Sequence, residues 1–199
     1  MKKLVIASNN PGKLREFQQM LAPLGIEVLT QSQLGIGEAE EPHCTFVENA
    51  LAKARHVSRE SGLPALADDS GICVEALGGA PGVQSARYAG DSPKSDARNN
   101  EKLLREMQGV TDRSAHYYCV LVLVRSADDP QPLIAEGEWH GEVFREERGA
   151  GGFGYDPMFW LPQFGKTAAE LTHEEKHAIS HRGKAMKSLL QKLRPRSGA

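Results

Sequence analysis

The sequence is poor in cysteine, has no long apolar run and carries almost no charge imbalance. Its three cysteines, Cys44, Cys73 and Cys119, lie far apart and form no C-x-x-C pair. That spacing argues against a disulfide framework or a cysteine-rich zinc site, and it fits a reducing cytosol. No stretch approaches the roughly 20 consecutive apolar residues of a membrane-spanning helix. The opening MKKLVIASNN holds too short an apolar run for a signal-peptide core. A cytoplasmic protein without a membrane partner is therefore expected. The 24 basic and 26 acidic residues leave a formal charge of −2, so nothing calls for nucleic acid as a partner. Internal repeats and low-complexity linkers are missing as well.

What is present is an ordinary globular composition, 40% hydrophobic and 25% charged over 199 residues, which suits a single domain, with room for two lobes. KKLVIAS reads as a first strand, NNPGK as a turn, and KLREFQQMLAPLG as a helix with Leu14, Phe17, Leu21 and Leu24 on one face. IEVLT is a second strand. Thr45 and Glu48 form a capping box ahead of a helix whose buried stripe is Val47, Ala50, Leu51, Ala54 and Val57, and Gly62 ends it. LPALA and GICVEAL are expected as two short strands flanking an acidic turn. SDARNNEKLLREMQG reads as a helix, and AHYYCVLVLVRS with PLIAEGEWHGEVF as a long hairpin around ADDPQP. From Thr172 onward the chain is expected to be helical, with Met186, Leu189, Leu190 and Leu193 as its last core stripe, before a polar tail, RPRSGA, whose order the sequence leaves open. Interleaved strands and helices followed by a hairpin predict an α/β protein with a mixed sheet and flanking helices.

Several stretches carry chemical possibilities. LADDSG, residues 66–71, is either a strand-ending turn or a carboxylate pair that holds a divalent cation or activates water. SNNPGK joins the first strand to the first helix, where exposed N–H groups and the helix dipole favour an anion, yet it lacks Walker-loop spacing. FGKT fails as a Walker loop because Trp160 stands where its first glycine belongs. GAGGFG runs into Pro157 and Pro162, which forbid the helix of a dinucleotide fingerprint. HEEKH, residues 173–177, matches the zinc-protease pattern through His173 and His177. That motif supplies a rival zinc-hydrolase reading, against a capped, solvated helix start at Thr172 and Glu175. Eight basic residues against three acidic ones between Lys166 and Arg196 make a cationic late segment. GGFGYDPMFW offers glycines for close approach, Phe153 and Tyr155 for stacking, and Asp156 as an acceptor for a base or ribose.

Taken in order, SNNPGK, TFVENALAKAR, ADDSG, LGGAPGVQSARY, GGFGYDPMF, AELTHEEK and ISHRGKA resemble the house-cleaning inosine triphosphate pyrophosphatase family, from about Leu4 to Leu193. The resemblance implies two lobes around a central nucleotide cleft, a homodimer, and hydrolysis of ITP, dITP and XTP to the monophosphate and pyrophosphate with Mg2+. It further implies Asp69 as catalytic base and metal ligand, with Glu40, or its neighbour Glu41, as second ligand. Ser8, Asn9, Asn10, Pro11, Gly12 and Lys13 would cradle phosphates, joined by the Ser70 hydroxyl. Phe153, Gly154, Tyr155 and Asp156, with Lys176, His181 and Arg182, would surround the purine nucleotide. His173 and His177 match no functional position of the family.

Overall fold

The computed structural model describes residues 2–90 and 93–193. Its regular elements are β1 (Lys3–Ala7), α1 (Pro11–Leu21), β2 (Glu27–Thr30), α2 (Phe46–Ser61), β3 (Ala65–Val74) and α3 (Asp96–Glu106). They continue with β4 (Ser114–Val124), β5 (Leu133–Val143), β6 (Phe159–Leu161), β7 (Lys166–Thr167), α4 (His173–Ile179) and α5 (His181–Leu193). The strands form one mixed sheet in the order β2-β1-β3-β4-β5-β6-β7. β1 pairs in parallel with β2 and β3, whereas β6 pairs antiparallel with both β5 and β7. The α/β architecture expected from the sequence is the one found.

Three local outcomes differ from expectation, and each bears on chemistry. First, α1 begins at Pro11 rather than after the NNPGK stretch: Asn10 caps it by accepting the Lys13 N–H at 3.0 Å, and proline suits the first helical position. Gly12 and Lys13 therefore belong to the first helical turn. Second, LADDSG is no turn. β3 runs unbroken through Ala65–Val74, with Asp68 and Asp69 in its middle and both nearly fully buried. Aspartate, serine and glycine are poor strand residues, but burial beside cations reverses the local preference. Third, the C-terminal helix is two helices. Ser180 is extended (φ −70°, ψ 160°) between α4 and α5, and a Cβ on Gly183 would lie 1.9 Å from the His177 carbonyl oxygen. Glycine there permits the second helix to start against the end of the first.

The chain divides into two compact units. One comprises residues 1–69, 119–136 and 185–199; the other comprises residues 70–118 and 137–184. The first has a core of Leu4, Ile6, Phe17, Leu21, Leu66, Leu121, Leu123, Met186 and Leu189, with Leu14, Leu190 and Leu193 packed against it, so the stripes anticipated in α1 and α5 face it except for Leu24, which lies past the end of α1 and is exposed. In α2 the buried positions include Ala50, Ala54 and Val57 as expected, together with Asn49 and Ser58. Thr45 caps α2 through the Glu48 N–H, but the Glu48 carboxylate meets the Thr45 hydroxyl rather than its backbone N–H. The second unit is built on Ile72, Val74, Leu103, Met107, Tyr117, Trp139 and Phe159. The ADDPQP connection is tied by Asp129, which accepts from the Arg125 and Gln131 N–H groups at 2.9 and 3.0 Å. The RPRSGA tail, with Arg194 and Arg196 of the cationic segment, lies outside the described residues.

Gly71 fixes the course of β3 just after its carboxylates. A Cβ there would meet the Gly82 carbonyl oxygen at 2.3 Å and Ser85 Oγ at 2.4 Å, and Ser85 Oγ also receives the Ile72 N–H at 3.0 Å. Gly71→Ala is expected to destabilise the protein by about 1–3 kcal/mol through overpacking against backbone, read as a lower midpoint in urea unfolding at unchanged slope.

Candidate active site

The first unit gathers carboxylates and ammonium groups. Lys13, one turn into α1, forms an ion pair with Asp68, whose side chain is fully buried. The other Asp68 oxygen receives the Cys119 thiol at 3.2 Å. Asp69, next along β3, accepts from Lys53 Nζ at 2.9 Å through Oδ1, and the same ammonium donates to Glu41 Oε1 at 2.7 Å. Asp69 Oδ2 is buried and has no hydrogen-bond partner among the described residues. Burial pushes the Asp69 carboxyl above the ordinary carboxylate range, against the pull of the Lys53 and Lys13 ammoniums. For Lys53, burial acts downward, but the Asp69 and Glu41 carboxylates outweigh it and hold the amine cationic.

Two devices hold this group. Asn49 of α2 clamps the preceding acidic loop, accepting the His43 N–H and donating to its carbonyl, each at 3.1 Å. Lys53 lies one turn further along the same helix, so the α2 face that buries Ala50 and Ala54 also delivers the ammonium. Of the two adjacent glutamates, the structure brings Glu41 to Lys53, while Glu40 is exposed. The strand-to-helix loop is organised by side chains: Ser8 Oγ receives the Asn10 N–H at 3.2 Å, and Asn9 donates to Glu38 at 3.1 Å. Ser8 and Gly12 are partly exposed, and Asn9, Asn10 and Pro11 are exposed.

The second unit gathers rings and cations. Gly152 (φ 72°) and Gly154 (φ 64°) curl the glycine loop so that the Phe153 N–H donates to Asp156 Oδ2 at 2.9 Å. A Cβ on Gly152 would lie 2.1 Å from that same oxygen. The start of α3 pins the loop: Asp96 accepts the Gly154 N–H at 2.8 Å, and Asn100 donates to the Gly154 carbonyl at 3.3 Å. Asp156, only 2% exposed, also accepts from Lys176 Nζ at 2.5 Å and from the Tyr117 hydroxyl at 3.4 Å. Its carboxylate is thus engaged by protein donors, where the sequence suggested an acceptor for base or ribose. Burial, then the Asp156 charge, push the Tyr117 phenol well above its ordinary value and keep it a donor.

Tyr155 turns away from the loop and donates to the Ser85 carbonyl at 2.8 Å. Lys176 Nζ stands 4.9 Å from the Phe153 ring centroid and Arg182 Cζ 5.9 Å. Arg182, also 2% exposed, donates to Ser70 Oγ at 3.0 Å. The His181 ring stacks on Tyr117 at 4.6 Å, nearly parallel. The break at Ser180 is what sets His181 and Arg182 at a helix start. The structure therefore unites Phe153, Lys176 and Arg182 around one ring and places Tyr155 in a supporting position.

HEEKH occupies the first turns of α4 as a capped helix start. Thr172 Oγ1 accepts the Glu175 N–H, Glu175 returns a bond to the Thr172 N–H at 2.7 Å, and His173 and His177 are exposed. The glutamate that a zinc hydrolase would use as its base, Glu174, is exposed, and it is the next residue, Glu175, that caps the helix. Lys176 is the buried residue of the motif.

A family model described as the Ham1 family matches residues 4–192 of the chain. The chain belongs to the Ham1 family. Among relatives, a dITP/XTP pyrophosphatase of Ralstonia nicotianae is 67% identical over 196 residues, covering 98% of each chain. One of Nitrosomonas europaea is 66% identical over 193 residues, covering 97% of this chain and 95% of its own. A solved structure of a HAM1 protein from Coxiella burnetii superposes with a TM-score of 0.91 at 48% identity, over 97% of this chain and 98% of that one. The Ham1 fold is thus shared along nearly the whole chain, through both the acidic and the aromatic groups of residues. Lys53, Asn49, Tyr117, Asp96 and Asn100 were not singled out from the Ham1-like motifs, although Asn49 and Lys53 lie within TFVENALAKAR. Their signal was periodic: Asn49 and Lys53 flank the buried alanines of α2, where polar residues need partners.

Proposed function

We propose that the chain hydrolyses dITP, XTP and ITP to the nucleoside monophosphate and pyrophosphate, with magnesium as cofactor, and so keeps these nucleotides out of DNA and RNA. The observation that carries this reading is the buried Asp69 carboxylate, with one oxygen on Lys53 and the other lacking a hydrogen-bond partner among the described residues. It stands in a chain 67% identical to a dITP/XTP pyrophosphatase.

The carboxylates suit magnesium. This hard ion takes one or two carboxylates and completes its shell with water and substrate phosphate oxygens. No three His, Cys, Asp or Glu side chains gather as a cage among the described residues, and such a site does not need one. Asp69 with the Glu40/Glu41 pair would hold the ion, Glu41 being the glutamate that already shares an ammonium with Asp69. When bound, magnesium supplies charge neutralisation on the phosphates.

The chain's own residues do the rest. Asp69, with its raised affinity for a proton, takes one from the water that attacks the α-phosphorus. Lys53 holds the Asp69 carboxylate in place. Lys13, the N–H groups at the start of α1 and the Ser70 hydroxyl receive phosphate oxygens. Phe153 offers its face to the base, and Lys176, His181 and Arg182 offer donors to a 6-oxo group. Adenine presents an amino donor at that position and leaves those donors unpaired. Such a site discriminates by up to roughly 10⁴-fold.

Product analysis tests the reading. With magnesium, dITP and XTP are expected to yield monophosphate and pyrophosphate, with ATP turned over far more slowly. Release of inorganic phosphate and a nucleoside diphosphate instead would overturn it. The same reading carries a homodimer, checked by light scattering of the eluting protein. Among the described residues no helix is long and apolar enough to cross a membrane.

A further inference from the structure

Away from these residues, the second unit carries two histidines on neighbouring strands. His116 is on β4 and His140 on β5, at positions where each strand alternates toward its less buried face. Their ring centroids are 5.4 Å apart, tilted by 37°. Each ring has its own carboxylate: His116 Nδ1 lies 3.0 Å from Glu75 Oε1, and His140 Nε2 lies 3.1 Å from Glu138 Oε2. The His116 side chain is 23% exposed and that of His140 71% exposed.

We infer that His116 and His140 form a two-histidine surface clasp for a borderline divalent transition metal such as zinc, with Glu75 and Glu138 as the carboxylates that orient the rings. A metal-bound imidazole characteristically gives its second ring nitrogen to a carboxylate, which fixes the tautomer and raises ligand basicity. Both rings already have that arrangement, so the metal-facing atoms are His116 Nε2 and His140 Nδ1. Two imidazole nitrogens at about 2.0–2.1 Å from one ion set their ring centroids roughly 5 Å apart, close to the 5.4 Å of the observed pair. No set of three protein ligands is found among the described residues, so water would complete the shell. Imidazole ligands select zinc, nickel or copper over magnesium. The clasp is therefore chemically separate from the phosphate chemistry.

Zinc titrated into the metal-free, nucleotide-free full chain by calorimetry tests the inference, in a His173→Gln/His177→Gln background that removes the α4 histidines. One zinc per chain is expected, insensitive to millimolar magnesium. His140→Gln and His116→Gln should each weaken binding at least about tenfold, and Glu138→Gln by about 10-fold, the lower range for an orienting partner. His140 is exposed, so its variant should melt as the parent does. Binding that is unchanged in both histidine variants, or no zinc uptake by the parent, would overturn the assignment.

Discussion

Asp69→Asn should lower the rate of dITP and XTP hydrolysis by about 10²–10⁴-fold, the range supplied by a positioned general base, and leave the fold intact. Asparagine keeps the shape of the side chain and an acceptor for Lys53, which retains Glu41 as its anionic partner. Removing a carboxylate whose burial outweighs its attraction to Lys53 and Lys13 should cost little stability. The measurement is pyrophosphate release under single-turnover conditions, beside a thermal melt of the same sample. A loss of less than about tenfold with an unchanged melt would remove Asp69 from the role of base. Lys53→Met should also slow hydrolysis, but with a melting change, because it leaves Glu41 and Asp69 without the cation between them.

The contrast between Asp69 and its surroundings shows what the sequence could and could not reveal. The strands and helices of the first unit follow from apolar spacing, caps and glycine stops, because each of those signals acts over a few residues. LADDSG misled for the same reason: its residues favour a turn, and the partners that make a buried strand tolerable there come from elsewhere in the chain, Lys13 and Cys119 at Asp68 and Lys53 at Asp69. The helix break at Ser180 is equally invisible locally, since THEEKHAISHRGKA has helical character throughout and the break depends on Gly183 meeting the His177 carbonyl. Ordered motifs pointed to Lys176 and Asp156 as parts of one site. They could not say that the two bond to each other, because the pairing is a tertiary fact. Spacing also could not choose between Glu40 and Glu41, since a loop has no period to set its register. Lys53 settles which of them the structure brings to Asp69.

The Lys176 to Asp156 pair gives the second large effect, and it separates holding the fold from recognising the base. Both side chains are over nine-tenths buried, with the ammonium 2.5 Å from Oδ2. Lys176→Met strands a buried carboxylate that retains, among the described residues, the Phe153 N–H and the Tyr117 hydroxyl, so a loss of about 3–5 kcal/mol is expected. In Lys176→Met/Asp156→Asn the stranded charge is gone and a neutral acceptor remains, and most of that stability should return. If Lys176 also faces the 6-oxo group of the base, the preference for dITP over ATP must stay low in the double variant despite its recovered melt. Recovery of both together would reduce Lys176 to a brace for the glycine loop. Selectivity would then fall to Arg182, which is held by Ser70 Oγ and stands over the same Phe153 ring.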